Sequence, residues 1–256
     1  MNCNEIISVL EERFPPSCAE EWDNPGLLAG RRDREVCRAM VALDATDEVV
    51  EQAAELKADL LVTHHPLIYG SIKNVSTDTF TGRRLIRLIE NGISLYAMHT
   101  NYDVCAMADL NASMLGLQNC EVLCMTGDGI GLGKVGDLPE PMTYSDFAEK
   151  VKTVFDLSDV RCYGSGNPKI RRAAVCGGSG KSLLDDALAS GADVFVTGDI
   201  DYHTGTDAFA KGIRIIDAGH YGTEHCFVDD VTAFLAQRFP ELEILAARQS
   251  VPYKLI

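Results

Sequence analysis

Two adjacent histidines, His64 and His65, follow directly after the apolar run Leu60-Leu61-Val62-Thr63 and precede Pro66. The run has the composition of a buried strand. A strand that ends in imidazoles presents them at the rim of a sheet, where α/β proteins bind their ligands. A plainer interpretation is a pair of polar residues that only closes the strand. The residues at the ends of the other predicted strands help to decide between a ligand site and a structural role.

Two further predicted strands also end in side chains that can bind a metal. The strand over 93–97 runs into His99, with Asp103 four residues later, and the strand over 213–216 runs towards His220 and Glu224. His220 and Glu224 are four residues apart, so they share one face of a helix that begins at or before His220. A carboxylate beside imidazoles can bridge two divalent ions about 3.5–4 Å apart, as in two-metal hydrolases. Nitrogen and oxygen ligands without thiolate fit zinc, manganese or iron(II).

The elements that carry these residues recur within the chain. Residues 38–63 align without gaps on residues 172–197, and eight of the 26 aligned positions are identical. Each copy has the pattern of a strand, a helix and a second strand, which predicts an α/β fold with two similar lobes from an internal duplication. Where the first copy ends in the histidine pair, the second ends in Gly198-Asp199. The metal site is therefore expected to draw different residues from each lobe.

A glycine- and proline-rich stretch suggests where the lobes meet in the sequence. Glycines occur at 127, 129, 131 and 133, and prolines at 139 and 141. We therefore predict an N-terminal lobe over 1–126, carrying His64, His65 and Asp103, and a C-terminal lobe over 127–256, carrying His220 and Glu224. The last segment of the second lobe could also pack back on the first.

Composition limits the location and the partners. The chain has 256 residues, a net charge of −15 and nine cysteines. The acidic balance argues against a nucleic-acid partner, because phosphate backbones are held mainly by Lys and Arg. No apolar run approaches the roughly 20 residues of a membrane span, and cysteines without paired spacing indicate a reducing compartment. We expect a cytoplasmic protein that binds no membrane and acts on a small anionic molecule.

A glycine-rich turn after the strand at 170–176 offers a second kind of site. Gly178, Ser179, Gly180 and Lys181 are spaced as in a turn that opens a helix, which can hold a phosphate by its backbone N–H groups. A full P-loop motif is excluded, because Val175 stands where its first glycine would be. The alternative is a tight turn that needs glycine for its backbone conformation.

Two other histidines, and the single tryptophan, have more than one interpretation. His99 and His203 could each act as a catalytic acid or base, or could be hydrogen-bonded structural histidines. Trp22 lies beside the turn Asn24-Pro25-Gly26 and is expected to pack against the protein rather than to bind a ligand.

The combined motifs resemble those of the Nif-three-like proteins, a dinuclear-metal family catalogued as type 2 GTP cyclohydrolase I homologues. The matching segments are Trp22-Asp-Asn-Pro-Gly-Leu-Leu, His64-His65-Pro66, His99-Thr100-Asn101-Tyr102-Asp103, Thr197-Gly198-Asp199 and Gly219-His220-Tyr221-x-Thr-Glu224. The resemblance implies two metal ions bound between two α/β lobes by His64, His65, Asp103, His220 and Glu224, with Glu224 bridging. It also implies a toroidal homo-hexamer.

The resulting hypothesis is a divalent-metal-dependent hydrolase. Its substrate would be a nucleotide or another small phosphorylated compound, with GTP cyclohydrolase I type 2 chemistry as one possibility that the resemblance adds. The rival hypothesis is a metal-binding hexameric scaffold or regulatory protein without turnover. Convergent ligands that leave open coordination positions favour catalysis, because structural metal sites are normally closed.

Overall fold

A computed structural model describes residues 1–127, 129–249, 251 and 253, and these residues form two compact α/β units. The first unit comprises Met1–Tyr102 together with the chain from Phe227 onward, and the second comprises Asp103–Cys226. Within the described part of the chain, no helix is both long enough and apolar enough to cross a membrane. The predicted α/β class is confirmed.

The elements are as follows. The strands are β1 (Gly26–Ala29), β2 (Arg38–Ala42), β3 (Leu60–Thr63), β4 (Ser94–Ala97), β5 (Gln118–Met125), β6 (Gly131–Thr143), β7 (Arg161–Tyr163), β8 (Lys169–Ser179), β9 (Val194–Gly198), β10 (Arg214–Asp217) and β11 (Glu243–Ala246). The α-helices are α1 (Cys3–Arg13), α2 (Asp47–Glu55), α3 (Phe80–Glu90), α4 (Thr100–Tyr102), α5 (Ala108–Met114), α6 (Tyr144–Val154), α7 (Leu184–Ala189), α8 (Tyr202–Lys211), α9 (His220–Glu224) and α10 (Cys226–Arg238). Single 3₁₀ turns occupy Pro16–Cys18 and Lys181–Leu183, and a π-helical segment occupies Asp103–Met107.

The first unit is built on a sheet with the strand order β1-β4-β3-β2-β11. Strands β2, β3, β4 and β11 are parallel, and β1 runs antiparallel to β4. Every residue of β3 and β4 is buried, as expected for parallel strands covered on both faces. The helices between these strands begin at threonine caps: Thr46 accepts a backbone N–H in α2, and Thr79 does so in α3.

The second unit has a sheet with the order β5-β6-β8-β9-β10-β7. Strands β8, β9 and β10 are parallel, while β5, β6 and β7 join the sheet in antiparallel pairs. Alternate residues of β8 enter different buried clusters: Ala173 and Val175 lie in one, and Ala174 and Cys176 lie in the other. The sheet is therefore packed on both faces.

The two units share a strand register that agrees with the predicted duplication. Ala39 of β2 pairs with Leu60 of β3, and Ala173 of β8 pairs with Val194 of β9, at positions 134 residues further along. A third parallel strand lies beside each pair, β4 in one unit and β10 in the other, and each of these has an antiparallel edge neighbour. The same core arrangement therefore occurs twice.

One aspartate in each unit makes the same contacts. The carboxylate of Asp59 accepts two backbone N–H groups around the start of β2, at 2.9 and 3.1 Å. The carboxylate of Asp193 accepts two at the corresponding residues of β8, at 2.7 and 3.0 Å. These contacts explain why the Ala-Asp sequence before the second strand of each copy is retained in both.

The division into units differs from the predicted boundary between residues 126 and 127. The second unit begins at Asp103, because β5 pairs with β6 rather than with a strand of the first sheet. Gly131 and Gly133 of the glycine-rich stretch, together with Pro139 and Pro141, belong to β6 and not to a linker. Gly133 has a φ of 68°, and a Cβ atom there would lie 2.8 Å from the carbonyl oxygen of Val175. At the end of the chain, β11 pairs with β2 of the first unit.

Candidate metal centre

In the first unit, three histidines meet at the carboxyl ends of β3 and β4. His64 and His65 follow β3, and His99 lies two residues beyond β4. One ligand atom from each of these histidines lies within 4.8 Å of the ligand atoms of the other two. His64 is fully buried, whereas the side chains of His65 and His99 keep 23% and 13% of their surface exposed. The strand-end prediction thus holds in the first unit, where parallel strands deliver these rings to one edge.

Each ring in this group is held at Nδ1 by an oxygen atom. His64 Nδ1 lies 2.8 Å from the carbonyl oxygen of Met98. His65 Nδ1 lies 2.7 Å from a carboxylate oxygen of Asp44, and His99 Nδ1 lies 2.8 Å from one of Asp23. Carbonyl and carboxylate oxygens accept hydrogen bonds, so each Nδ1 carries the proton. The lone pair is then on Nε2, which is the tautomer and orientation that metal-binding histidines adopt.

Asp23 was not among the predicted site residues, and its side chain is fully buried. Besides the contact with His99, its carboxylate accepts hydrogen bonds from the N–H and the hydroxyl of Thr100, at 3.0 and 2.5 Å. Burial pushes the pKa of Asp23 upward, but the hydrogen bonds from His99 and Thr100 outweigh it and hold the pKa well below its usual range. Asp23 is thus a fixed negative charge behind His99.

The neighbouring Trp22, which was expected to pack against the protein, is 55% exposed.

In the second unit, His220 and Glu224 lie on one turn of α9. The helix begins at His220, and His220 Nε2 lies 3.1 Å from a carboxylate oxygen of Glu224. Glu224 is buried, and His220 Nδ1 lies 2.7 Å from a carboxylate oxygen of Asp199. The i,i+4 spacing therefore places the two side chains on one face, as predicted. Asp199, whose role the sequence left open, orients His220.

The position of α9 is set by polar contacts from Thr223. Its carbonyl oxygen accepts from the side chain of Asn111 at 3.0 Å, and its hydroxyl oxygen accepts from the backbone N–H of Gly178 at 2.9 Å. Gly178 has a φ of 61°, and a Cβ atom at this position would collide with Oε1 of Glu224. The glycine therefore lets the strand end approach the carboxylate closely.

These contacts change the interpretation of the predicted phosphate turn. The N–H of Gly178 is donated to Thr223, and the N–H of Gly180 is donated to the hydroxyl of Thr197 at 2.9 Å. Ser179 is the last residue of β8, and Lys181 Nζ lies 4.0 Å from a carboxylate oxygen of Asp201. Two of the donors that a phosphate would need are thus used within the protein. Close packing accounts for both glycines.

Asp103 begins the π-helical segment Asp103–Met107. Short π-helical segments are rare and are frequently found at functional sites. In the same unit, burial raises the pKa of the Cys176 thiol above its usual range, and the nearby carboxylates of Asp103 and Glu224 add to this shift. Burial therefore favours the neutral thiol form of Cys176, near two predicted carboxylate ligands.

His203 lies elsewhere in the second unit. It is exposed in the first turn of α8, where its ring is 5.4 Å from that of Tyr202. Among the described residues, His203 is not part of a group that could hold a metal ion. A catalytic role for His203 stays a prediction.

The donor atoms fit a divalent transition metal. Each unit presents imidazole nitrogen or carboxylate oxygen, the ligand types that zinc, iron(II) and manganese share. In the first unit the ligand atoms of His64, His65 and His99 are close enough together to hold a metal ion. The hydrogen-bonded Nδ1 atoms supply the outer contacts that orient metal ligands.

Comparisons with known proteins agree with the sequence motifs. The sequence profile of the family described as Duf34/NIF3 (NGG1p interacting factor 3) matches residues 1–252. A Clostridium perfringens protein named GTP cyclohydrolase 1 type 2 homolog is 32% identical over 262 residues, which cover all of both chains. A Streptococcus pneumoniae protein of the same name is 38% identical over 243 residues, which cover 93% of this chain and 91% of the relative.

Proteins of known structure related to NIF3 also resemble this chain. A Bacillus cereus protein related to NIF3 superimposes with a TM-score of 0.93 and 28% identity, covering 100% of this chain and 99% of that one. Reduced HcgD from Methanocaldococcus jannaschii gives a TM-score of 0.86 and 32% identity, covering 96% and 97%. The chain therefore belongs to the Duf34/NIF3 family.

Proposed function

We propose that this protein is a divalent-metal-dependent hydrolase with a dinuclear centre, acting on a nucleotide or another small phosphorylated compound. The residues proposed to hold two ions of zinc, iron or manganese are His64 and His65 from the first unit and Asp103, His220 and Glu224 from the second. Family membership supports this assignment, because the resemblance that implies this ligand set is to the family whose profile matches the chain.

One observation carries the proposal. His64, His65, His99 and His220 each have Nδ1 within 2.8 Å of an oxygen acceptor. A polar residue that only closes a strand does not need a fixed tautomer, whereas a metal-binding imidazole does. The repetition of this arrangement in four histidines, at the ends of three strands, supports metal binding over a purely structural role.

The site residues and their hydrogen-bond partners have different proposed roles. Divalent ions, when bound, would supply Lewis-acid chemistry that activates water and stabilises charge on the reacting group. Asp44 and Asp199 orient the rings of His65 and His220 through Nδ1. His99, held by the buried carboxylate of Asp23, has the arrangement of a histidine that takes up and releases a proton at Nε2. We assign it that role.

The names of the relatives suggest which substrate class to test first. Several curated relatives are named GTP cyclohydrolase 1 type 2 homolog, which makes a guanine nucleotide the first substrate to test. Phosphoesters remain in the same panel, because two-metal sites also serve phosphoester hydrolysis.

The test is turnover by metal-reconstituted protein on a panel of nucleotides and phosphoesters. The proposal expects activity on at least one compound and its loss in Glu224→Ala. Glu140→Ala, at an exposed glutamate of β6, is the matched control and should keep full activity. Turnover that survives Glu224→Ala would contradict the mechanism. Full metal occupancy without turnover on any compound would instead favour a metal-binding scaffold.

We also propose a toroidal homo-hexamer in the cytoplasm. The family resemblance supports the assembly. Among the described residues the nine cysteines form no disulfide, which is compatible with a reducing compartment. Native mass spectrometry should give the mass of six chains, and a monomer or dimer at working concentration would overturn the assembly.

A further inference from the structure

Two exposed aromatic side chains flank the histidine group of the first unit. Trp22 and Tyr69 expose 55% and 59% of their surface, and their ring centroids are 5.7 Å apart. Both rings contact His99, with centroid distances of 5.9 Å for Trp22 and 6.2 Å for Tyr69. On its other side, His99 lies 5.3 Å from the ring of His64. A continuous series of rings thus runs from the buried histidine to the surface.

The segments that carry these rings are fixed in place. Trp22 precedes Asp23, whose buried carboxylate binds both His99 and Thr100. The side-chain amide of Asn24 donates to the carbonyl oxygen of Ile68 at 2.7 Å, which joins the Trp22 turn to the segment before Tyr69. The rings are therefore exposed but anchored on two segments that are tied together.

The angles between the rings show what this surface can accept. The Trp22 and Tyr69 planes are inclined at 43° to each other, and Trp22 meets His99 edge to face at 75°. The Trp22–Tyr69 centroid distance is too short for a ligand ring to enter between them, because two stacked layers need about 7 Å. A planar ligand would therefore stack on the outer face of one ring and meet the other at an angle.

We propose that Trp22 and Tyr69 form the binding surface for a planar heteroaromatic ring of the substrate, of the purine or pterin class. Stacking there would place the ring beside His99, which lies in one cluster with His64 and His65. The inference rests on the proposed function for the presence of a substrate. It adds the residues that would distinguish a nucleotide from a phosphoester without a ring.

The expected effect is measurable because stacking of a base on an aromatic side chain has a known range. Loss of one such contact weakens binding by about five- to hundredfold. Trp22 is the single tryptophan of the sequence, so intrinsic tryptophan fluorescence reports on this residue alone. Binding can therefore be observed at the proposed surface without any turnover.

The experiment titrates zinc-reconstituted protein with guanosine monophosphate, with neopterin and with ribose 5-phosphate. It follows tryptophan fluorescence and, in parallel, equilibrium dialysis. We expect saturable quenching by at least one ring compound and none by the sugar phosphate. Trp22→Ala should weaken binding of that compound at least about fivefold, Trp22→Phe should restore most of it, and Tyr69→Ala should also weaken it. Phe80→Ala is the matched control, since Phe80 is 57% exposed but lies under Arg84 instead of beside His99.

The inference would be wrong if Trp22→Ala bound the ring compound as tightly as wild type does. It would also be wrong if ribose 5-phosphate bound as tightly as the ring compounds, or if neither ring compound showed saturable binding. A changed oligomeric mass in Trp22→Ala, without loss of ring binding, would assign the surface to contact with another copy of the chain and would also overturn it. Turnover that does not depend on Trp22 would contradict this inference but would still support the proposed hydrolase. Ring binding without turnover would support this inference but would contradict the proposed hydrolase.

Discussion

A carboxylate oxygen of Asp199 lies 2.7 Å from Nδ1 of His220, and Asp199 adopts a left-handed backbone conformation with a φ of 56°. In the first unit, Asp44 holds Nδ1 of His65 at the same distance. Non-glycine residues rarely have a positive φ, although aspartate tolerates it better than most. The unusual backbone at Asp199 therefore serves to place a carboxylate behind a predicted metal ligand.

Removing the Asp199 carboxylate should weaken metal binding. For Asp199→Ala we expect the affinity for zinc to fall about 10- to 100-fold, because the ring of His220 loses the contact that fixes its tautomer. Asp199→Asn keeps an oxygen acceptor and tolerates the same backbone conformation, so its loss should be smaller. Competition with a chromogenic chelator measures both affinities.

The control for this pair is Asp207→Ala, at an exposed aspartate of α8. It should bind zinc as tightly as wild type. Equal affinities for Asp199→Ala and Asp207→Ala would show that the contact with His220 does not act on a metal.

Gly178→Ala should disturb the position of Glu224. The added methyl group would collide with Oε1 of Glu224, and the φ of 61° already disfavours alanine. Gly191→Ala is the matched control, because Gly191 has a φ of 75° but nothing within 4 Å of its Cβ position. We expect backbone strain alone to cost about 1 kcal/mol of unfolding free energy in Gly191→Ala, and Gly178→Ala to lose more.

Metal content separates the two glycine variants further. Gly191→Ala should retain all of its metal after dialysis, whereas Gly178→Ala should lose part of it. If both variants lost the same stability and kept the same metal, close packing against Glu224 would not be the reason for glycine at 178.

The buried carboxylate of Asp23 should make the first unit sensitive to acid. Its pKa in the folded protein is held below the value of about 3.9 that an unfolded chain would give. The stabilisation is therefore fully present above about pH 4 and is lost as the pH falls towards the folded pKa. Asp23→Asn should lower the unfolding free energy at neutral pH by about 1–3 kcal/mol, and should reduce its dependence on pH below 4.

Urea unfolding of metal-depleted protein near pH 7 and near pH 3 checks this prediction. The difference between wild type and Asp23→Asn should shrink at the lower pH. A constant difference at both values would mean that the charge of Asp23 does not contribute.

The features that the sequence predicted best depend on local pattern. Apolar runs located β3 and β4, and the residues that follow them supplied His64, His65 and His99. Local pattern also accounts for the start of helix α3 at Phe80, because Thr79 caps it. Strand β6 was missed because its glycines resemble a linker, although they are needed for close approach between neighbouring strands.

The contacts that orient the site were not predictable from spacing. Asp23 and His99 are 76 residues apart, and Asp44 and His65 are 21 apart. Nothing in the local sequence marks either aspartate as a partner, because only the fold brings these segments together. A buried acid beside a predicted strand-end histidine becomes recognisable only once the strand order is known.

The central claim is a dinuclear centre that needs Glu224. The most direct measurement is the metal content of zinc-reconstituted, dialysed protein by inductively coupled plasma mass spectrometry, for wild type, Glu224→Ala and the control Glu140→Ala. We predict about two ions per chain in wild type and in the control, and fewer in Glu224→Ala. Fewer than two ions in wild type, or full retention in Glu224→Ala, would contradict the claim.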